Sequence, residues 1–574
     1  MARSWLTASL LGLVRLSAAL GPQLGLPEMW EEFRRESELE TVVQTASTSV
    51  TFRLSTNGTA PGAPNPATLY KAYNLSVPID HFHNDSMYEP HSNGTFPLRY
   101  WYDDRFYKPG GPVIALAAGE TNGAGRLPFL QKGIVAILAE ATNGVGVILE
   151  HRYYGSSYPT PDFSTKNLRF LTTDQALADT AYFAKHIVFP GQLAKINLTA
   201  PETPWIMYGG SYAGAFVAFL RKVYPDVFWG AISSSGVTAA VVDFWEYYEA
   251  ARLYSPDGCA ETTQKLTHVV DNVLLQKGNT TKDDILTLKT AFGLQNVTEN
   301  VDFASTIRGG IGGLQSRNWD PAIDGRAFLR YCGNMTSDKV IWPATEKLDS
   351  TIRYLLKSGG YESEVEELIP RFKNYIGYVN FTSVSTCRQT QDECFGAGND
   401  EDYADDDLNA SWRLWSYQYC SQWGYLQTGS GVPNNQLGLI SRLIDIDFTT
   451  RICRKAFNIT TPPDVDAINK YGGYNFSYPR VAIIDGESDP WRAATPNKIG
   501  LARPESTTKE PNLVIAGGAV HHWDENGIFI NETTSELPPL PVKEAQDFEV
   551  EFVRAWLQEW KETNGQKVTV REVR

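Results

Sequence analysis

"PWIMYGGSYAGAFVAFL", residues 204–220, runs from a short apolar segment through Gly209, Gly210 and Ser211 straight into an alanine-rich stretch with helical spacing. A strand that turns into a helix without a linker leaves its corner residue little backbone freedom, which costs stability. A serine at such a corner asks for a chemical reason. The flanking segments set its frame. "PVIALAAGE" (112–120) and "GVGVILEHR" (144–152) are short apolar runs bounded by Gly and Pro, as strands buried on both faces are. "TTDQALADTAYFAKHIVF" then places Ala176, Thr180, Phe183 and Ile187 at helical spacing behind a Thr/Asp start that can cap a first turn. After the serine corner, "WGAISSSG" (229–236) reads as another strand. This βαβαβ order predicts a parallel sheet wrapped by helices.

The alternation stops after residue 236. Residues 237–478 show helical periodicities, all six cysteines and an acidic loop, "NDEDYADDD", whose plain reading is a solvated charge run. Strand grammar resumes in "RVAIIDGESDPW" (480–491) and "PNLVIAGGAVHHWDENG" (511–527). The chain then closes on a helix with Ala545, Phe548, Phe552, Ala555 and Trp556 on one face. The predicted organisation is a core in two parts, 68–236 and 479–562, interrupted by a helical, disulfide-stapled insertion over 237–478. Residues 563–574 form a tail, and 21–67, rich in linker residues, are a pro-segment, an arm or a packed extension.

Residues 1–20 have signal-peptide order: a basic start at Arg3, an apolar run and small residues. Thirteen Asn-x-Ser/Thr acceptors, from Asn57 to Asn531, and an even cysteine set without CxxC or zinc-ligand spacing agree with secretion and three disulfides. The expected destination is extracellular, or a vacuole- or lysosome-like compartment. No other apolar run is long enough for a membrane helix, so no stable membrane insertion is expected. A net charge of -15 with no compact basic block argues against nucleic acid as a partner. The oligomeric state stays open, homodimer included.

The corner at Ser211 matches a nucleophile elbow, except that the usual glycine two residues on is Ala213. Such a turn aims the Tyr212 N–H at a developing oxyanion, with a helix N-terminus behind it. Gly119 and Glu120 end the strand whose following loop supplies the second N–H in this architecture. A serine needs an imidazole beside it and a carboxylate to hold that imidazole. Of eight histidines, His521 and His522 follow the last predicted strand, and Asp489 ends the strand-loop unit before it. That is the chain order Ser, Asp, His. Asp485 stays within its strand and Glu487 lies one residue past a glycine turn, so both reach the rim less directly. His151, His186 and His268 read as satisfied structural histidines, and His81, His83 and His91 belong to the N-terminal region. Trp491 should stand near the triad because only Pro490 separates it from Asp489; core packing is the competing reading.

"GGSYAG", "EHRYYGSSYP", "LTTDQALADTAYF", "DGESDPW", "HHWD" and "PIDHF" (78–82), unlinked motifs that occur in the family order, resemble the serine peptidase family of lysosomal prolyl carboxypeptidase, dipeptidyl peptidase II and acid prolyl endopeptidase. The resemblance spans about residues 70–560. It implies an α/β-hydrolase core with an inserted helical cap, and hydrolysis of peptide bonds after proline at acidic pH through an acyl-enzyme. By motif matching, Ser211 is the nucleophile, Asp489 the orienting acid and His521 the base, because the family's histidine stands three residues before an aspartate. His522 is the fallback. Tyr212 and Glu120 supply oxyanion N–H groups, while the Glu120 side chain and the Trp491 ring bind substrate. Ala215 replaces a larger apolar residue of some members, which would reshape the first pocket, and "ISSSGV" replaces the family's frequent Ala-Ser-Ala-Pro run. A peptide or protein is the expected partner; no metal or organic cofactor is required. An esterase or lipase on the same fold, or a catalytically silent binding protein, would share most of these features.

Overall fold

The computed structural model describes residues 64–572, with side chains through residue 564. The expected leader, most of the 21–67 extension and Asn57 lie outside the described residues. An eight-stranded sheet runs in the order β1-β2-β4-β3-β5-β6-β9-β10. Its members are β1 (Tyr73–Pro78), β2 (Thr95–Asp103), β3 (Val113–Ala117), β4 (Val145–Leu149), β5 (Trp205–Gly210), β6 (Gly230–Ser234), β9 (Val481–Gly486) and β10 (Asn512–Ile515). From β4 to β10 all neighbours are parallel, and only β2 runs against its two neighbours. This is the α/β-hydrolase sheet.

The burial of each strand explains its sequence. β3, β4, β5, β6 and β9 are buried at every residue, as helix-covered parallel strands must be, and they are the continuous apolar runs. β2 alternates: Phe96, Leu98 and Tyr100 point inward while Thr95, Pro97 and Arg99 do not. The helix Thr173–His186 begins as the sequence suggests, with the Thr172 hydroxyl accepting from the Gln175 N–H. The closing helix spans Leu540–Glu572, so residues 563–572 continue it. Its buried stripe is Ala545, Phe552, Val553, Trp556 and Leu557. Ala555 is exposed. One methyl group adds little drive for burial, and the larger Val553 and Leu557 set the rotation of the helix instead.

The polypeptide leaves the sheet after β6 and returns at β9. The intervening residues include the helices Cys259–Leu274, Ala327–Thr336, Asp349–Ser358 and Val365–Thr382. They also hold a feature the helical reading misses: β7 (Val241–Asp243) pairs in parallel with β8 (Gly424–Leu426). Three residues per strand are too few to show a period of two. All six cysteines are paired, as Cys259–Cys332, Cys387–Cys394 and Cys420–Cys453. The first joins the helices Cys259–Leu274 and Ala327–Thr336 and closes 73 residues. No helix among the described residues is long and apolar enough to cross a membrane.

Loop-closure entropy predicts that C259S/C332S loses about 3–5 kcal/mol of stability in the inserted region, measured by urea unfolding. Replacing Cys387 and Cys394, which close only 7 residues, should cost less.

Candidate active site

Ser211 stands between β5 and the helix Tyr212–Val223 with φ 61° and ψ -129°. A non-glycine residue in such a region stores about 1–3 kcal/mol of strain. The neighbours enforce it. The Ser211 N–H donates to the Ser234 carbonyl on β6 at 2.9 Å, and the Ser211 carbonyl accepts from Gly214 and Ala215 at 2.9 and 3.2 Å. The turn is so tight that a Cβ on Gly209 would sit 2.1 Å from the Ala213 carbonyl oxygen, while one on Gly210 would press within 3.1 Å of the His522 ring. Tyr212, fully buried, anchors the corner by hydrogen bonding to His151 Nε2 at 2.9 Å. Its N–H is at the first helical position, where no intrahelical acceptor exists. Ala213 fits in place of glycine, facing Gly119 of the loop after β3.

The loops after β9 and β10 bring Asp489 and His521 together. His521 Nδ1 and Asp489 Oδ2 are 2.9 Å apart, both residues buried. The Asp489 carboxylate also accepts from the Trp491 N–H at 2.9 Å and from the Ser235 hydroxyl. Burial alone would raise the Asp489 pKa, but the charge and hydrogen bond of His521 and those two further donors hold it below the ordinary carboxylate range. It stays an anion. Burial pushes His521 below the ordinary imidazole value of 6.5, an effect that the Asp489 charge only partly offsets. With its Nδ1 proton given to Asp489, His521 keeps a lone pair on Nε2, which has no hydrogen-bond partner among the described residues. The bond from Ser211 Oγ to that nitrogen is therefore not made in this resting arrangement. Bonds of this kind commonly tighten only when substrate is bound.

His522 has a different environment. Its Nδ1 lies 2.8 Å from Glu525 Oε2, its N–H donates to the Ser235 hydroxyl at 2.9 Å, and its backbone has φ 36°. Burial opposes the imidazolium, yet the Glu525 charge and contact outweigh it and raise the His522 pKa. The two imidazoles, with ring centres 4.4 Å apart, are thus pushed in opposite directions. A neutral ring suits a base and a cationic ring does not.

This chain belongs to the serine carboxypeptidase S28 family. The family model matches residues 78–536. A probable extracellular serine carboxypeptidase of Arthroderma benhamiae is 51% identical over 85% of this chain and 68% of its own length. The serine protease vicPa of Bipolaris victoriae is 29% identical over 81% of this chain and 86% of its own. The thymus-specific serine protease of Mus musculus is 24% identical over 76% and 81%. The protein is a serine-type peptidase.

Glu120 faces the charges of Arg126, His522 and Glu525, and burial raises its carboxyl. Trp491 is 3% exposed. Its ring stacks on Phe244 at 5.3 Å, lies 6.4 Å from the His521 ring and donates its N–H to Gln315 Oε1 at 2.8 Å. Tyr247 and Tyr425 pack edge-on against it. It is thus a wall beside the imidazole and a member of the core at once. Ala215 is fully buried, packed within the helix and away from any open surface. The histidines read as structural are engaged: His151 with Arg152 O and Tyr212, His186 with Tyr182 O, His268 with Tyr361. Asp485 lies in β9.

Sequence reading missed Ser235, Glu525, Gln315, Phe244 and Tyr247. Only Ser235 had a local signal, the "SSS" run after β6. The insertion is fastened to the histidine loop by reciprocal tryptophan bonds: Trp319 donates to the Trp523 carbonyl at 2.8 Å and Trp523 to the Arg317 carbonyl at 2.9 Å.

Asp485 accepts from Thr495 and Asn497 through Oδ2, but its Oδ1 has no partner. Burial, with the Asp489 charge adding to it, raises its carboxyl to about 7. A carboxyl raised in the folded state gives stability that is complete below its unfolded value and lost as pH rises through the folded one. The Asp485 contribution to unfolding free energy should therefore decline between about pH 4 and pH 7. Asp485→Asn should remove that contribution and leave those of the buried Asp524 and Glu549, which are raised in the same direction. Chemical denaturation at intervals of pH measures this, and an unchanged slope in the variant would contradict it.

Proposed function

We propose that this protein is an extracellular peptidase that hydrolyses peptide bonds on the C-terminal side of proline through a Ser211–His521–Asp489 acyl-enzyme mechanism. The observation that supports this most is the Asp489–His521 contact of 2.9 Å, which leaves a buried Nε2 with no hydrogen-bond partner among the described residues and so free to take a proton. His521 takes the Ser211 proton as Oγ attacks the carbonyl carbon, and Asp489 stabilises the imidazolium that results. The tetrahedral oxyanion is held by the Tyr212 N–H, with the Glu120 N–H as the second donor, before the His521 proton passes to the leaving amine. Water then attacks the acyl-enzyme with His521 again as base. Preference for proline follows the family resemblance, and the Trp491 face is an apolar wall suited to a flat ring. The expected leader, the disulfides and the name of the Arthroderma benhamiae relative support an extracellular location.

Ser211→Ala and His521→Ala should each lower kcat by about 10^4-fold or more while the far-UV circular dichroism stays unchanged, and the double variant should be no worse than either single. His522→Ala should lose far less. A His522→Ala loss equal to that of His521→Ala would move the base to the other ring.

Because His521 lies below 6.5 in the free enzyme, the acidic limb of kcat/KM should be centred below that pH, since the base works only when neutral. A pH profile on a proline-containing peptide, with cleavage positions in a mixed peptide library read by mass spectrometry, tests both parts. A limb centred at or above 6.5, or cleavage indifferent to proline, would count against the respective claim.

A further inference from the structure

The connection between β1 and β2, residues 79–94, carries a cluster that the peptidase mechanism does not use. Asp80, His83 and His91 come from a single twelve-residue stretch, "DHFHNDSMYEPH", and each offers one donor atom within 4.8 Å of the others. Asp80 is buried, His91 half-buried and His83 exposed. The Asp80 carboxylate is fixed before any ligand arrives: its Oδ1 accepts from the Phe82 N–H at 2.9 Å and from the Gln175 amide at 2.8 Å. That leaves Oδ2 facing His91 Nδ1 at 2.8 Å. The His83 and His91 rings stack with centres 5.3 Å apart and planes at 30°.

We propose that Asp80, His83 and His91 form a structural binding site for a borderline divalent cation of the zinc class, made of residues the peptidase mechanism does not use. Two imidazoles and one carboxylate are a donor set for Zn²⁺, Co²⁺, Ni²⁺ or Cu²⁺, and a poor one for the oxygen-seeking Ca²⁺ and Mg²⁺. The spacing fits one ion. Donors 2.8 Å apart, each about 2.1 Å from a shared metal, subtend an angle of about 85°, and opening them by about 0.6 Å reaches a tetrahedral corner. The exposure of His83 lets its ring swing to a third corner and leaves the fourth to water. A charge of +2 also suits the place, because the buried Asp80 carboxylate presents Oδ2 to it beside the two rings. The ion would pin the β1–β2 connection to the helix Thr173–His186 through Asp80 and Gln175. The neighbouring His81 is already engaged with Asp179 at 2.8 Å, and Asp179 also pairs with Arg152, so neither is available as a further ligand.

The test uses the full-length secreted protein, stripped with EDTA and dialysed, then titrated with Zn²⁺ at pH 7.5 by calorimetry and with Co²⁺ by visible absorption. The expected result is one equivalent per chain with a micromolar or tighter Kd, weakened at least tenfold in H83A and in H91A and lost in H83A/H91A. Saturating Zn²⁺ should raise the Tm of the wild type and not that of the double variant. At pH 5 binding should weaken, because protons compete for both rings. The exposed His83 is a safe substitution for folding, and unchanged peptidase turnover by the metal-free variants checks that they are intact. No uptake by the wild type would overturn the proposal, as would uptake of the same stoichiometry and affinity by H83A/H91A, which would place the ion at another cluster.

Discussion

The strained backbone at Ser211 is the constraint around which the rest is arranged. Its φ of 61° persists only because β6 supplies the Ser234 carbonyl to its N–H and because Gly209 and Gly210 let the helix and the His522 ring come close on either side. β6 must therefore lie next to β5. Once that pairing is fixed, the strands that follow can only extend the sheet beyond β6, and the carboxyl ends of β9 and β10 open beside the serine. The insertion between β6 and β9 does not disturb this: it leaves at the carboxyl end of β6 and re-enters at the amino end of β9, its direct parallel neighbour, so it lengthens one crossover without changing the strand order.

A second layer of strain and hydrogen bonding surrounds the first. Ser235 and His522 also have positive φ, 46° and 36°, and one hydroxyl links them: Ser235 accepts from the His522 N–H and donates to Asp489. Asp489 and the loop that carries the two histidines are thus held by a single small side chain. Trp523, the next residue, takes the hold further by exchanging bonds with Trp319 and Arg317 of the insertion. The insertion is thus part of the support of the site.

How much of this could be read in advance depended on whether the signal was local. Strands buried on both faces announce themselves as unbroken apolar runs, so β3, β4, β5 and β6 were visible to within two or three residues. The elbow was visible because a glycine pair before a serine has few other uses at a strand-helix junction. Asp489 and the histidine pair followed from chain order alone. What stayed hidden arises from contacts across long separations: Gln315 reaching Trp491, Phe244 stacking on it, Glu525 holding His522. None of these residues has a distinctive neighbour sequence. The disulfide partners were hidden for a combinatorial reason, since six cysteines admit fifteen pairings. Ala555 misled because helical spacing alone ignores side-chain size.

The choice between the two adjacent histidines illustrates why position in sequence underdetermines chemistry. The rings are 4.4 Å apart and share most of their surroundings, and both lie within a buried region that disfavours charge. The difference is the partner. The Asp489 carboxylate also accepts from two further hydrogen-bond donors, so its pull on His521 is shared and burial prevails there; Glu525 faces His522 with the more distant Arg126, at 3.9 Å, as a competing cation, and its pull prevails. A cation on His522 then disfavours a second one on His521, which lowers the base further. The pair therefore divides one proton unequally. This keeps the ring attached to Asp489 neutral at pH values where an isolated imidazole would already be charged.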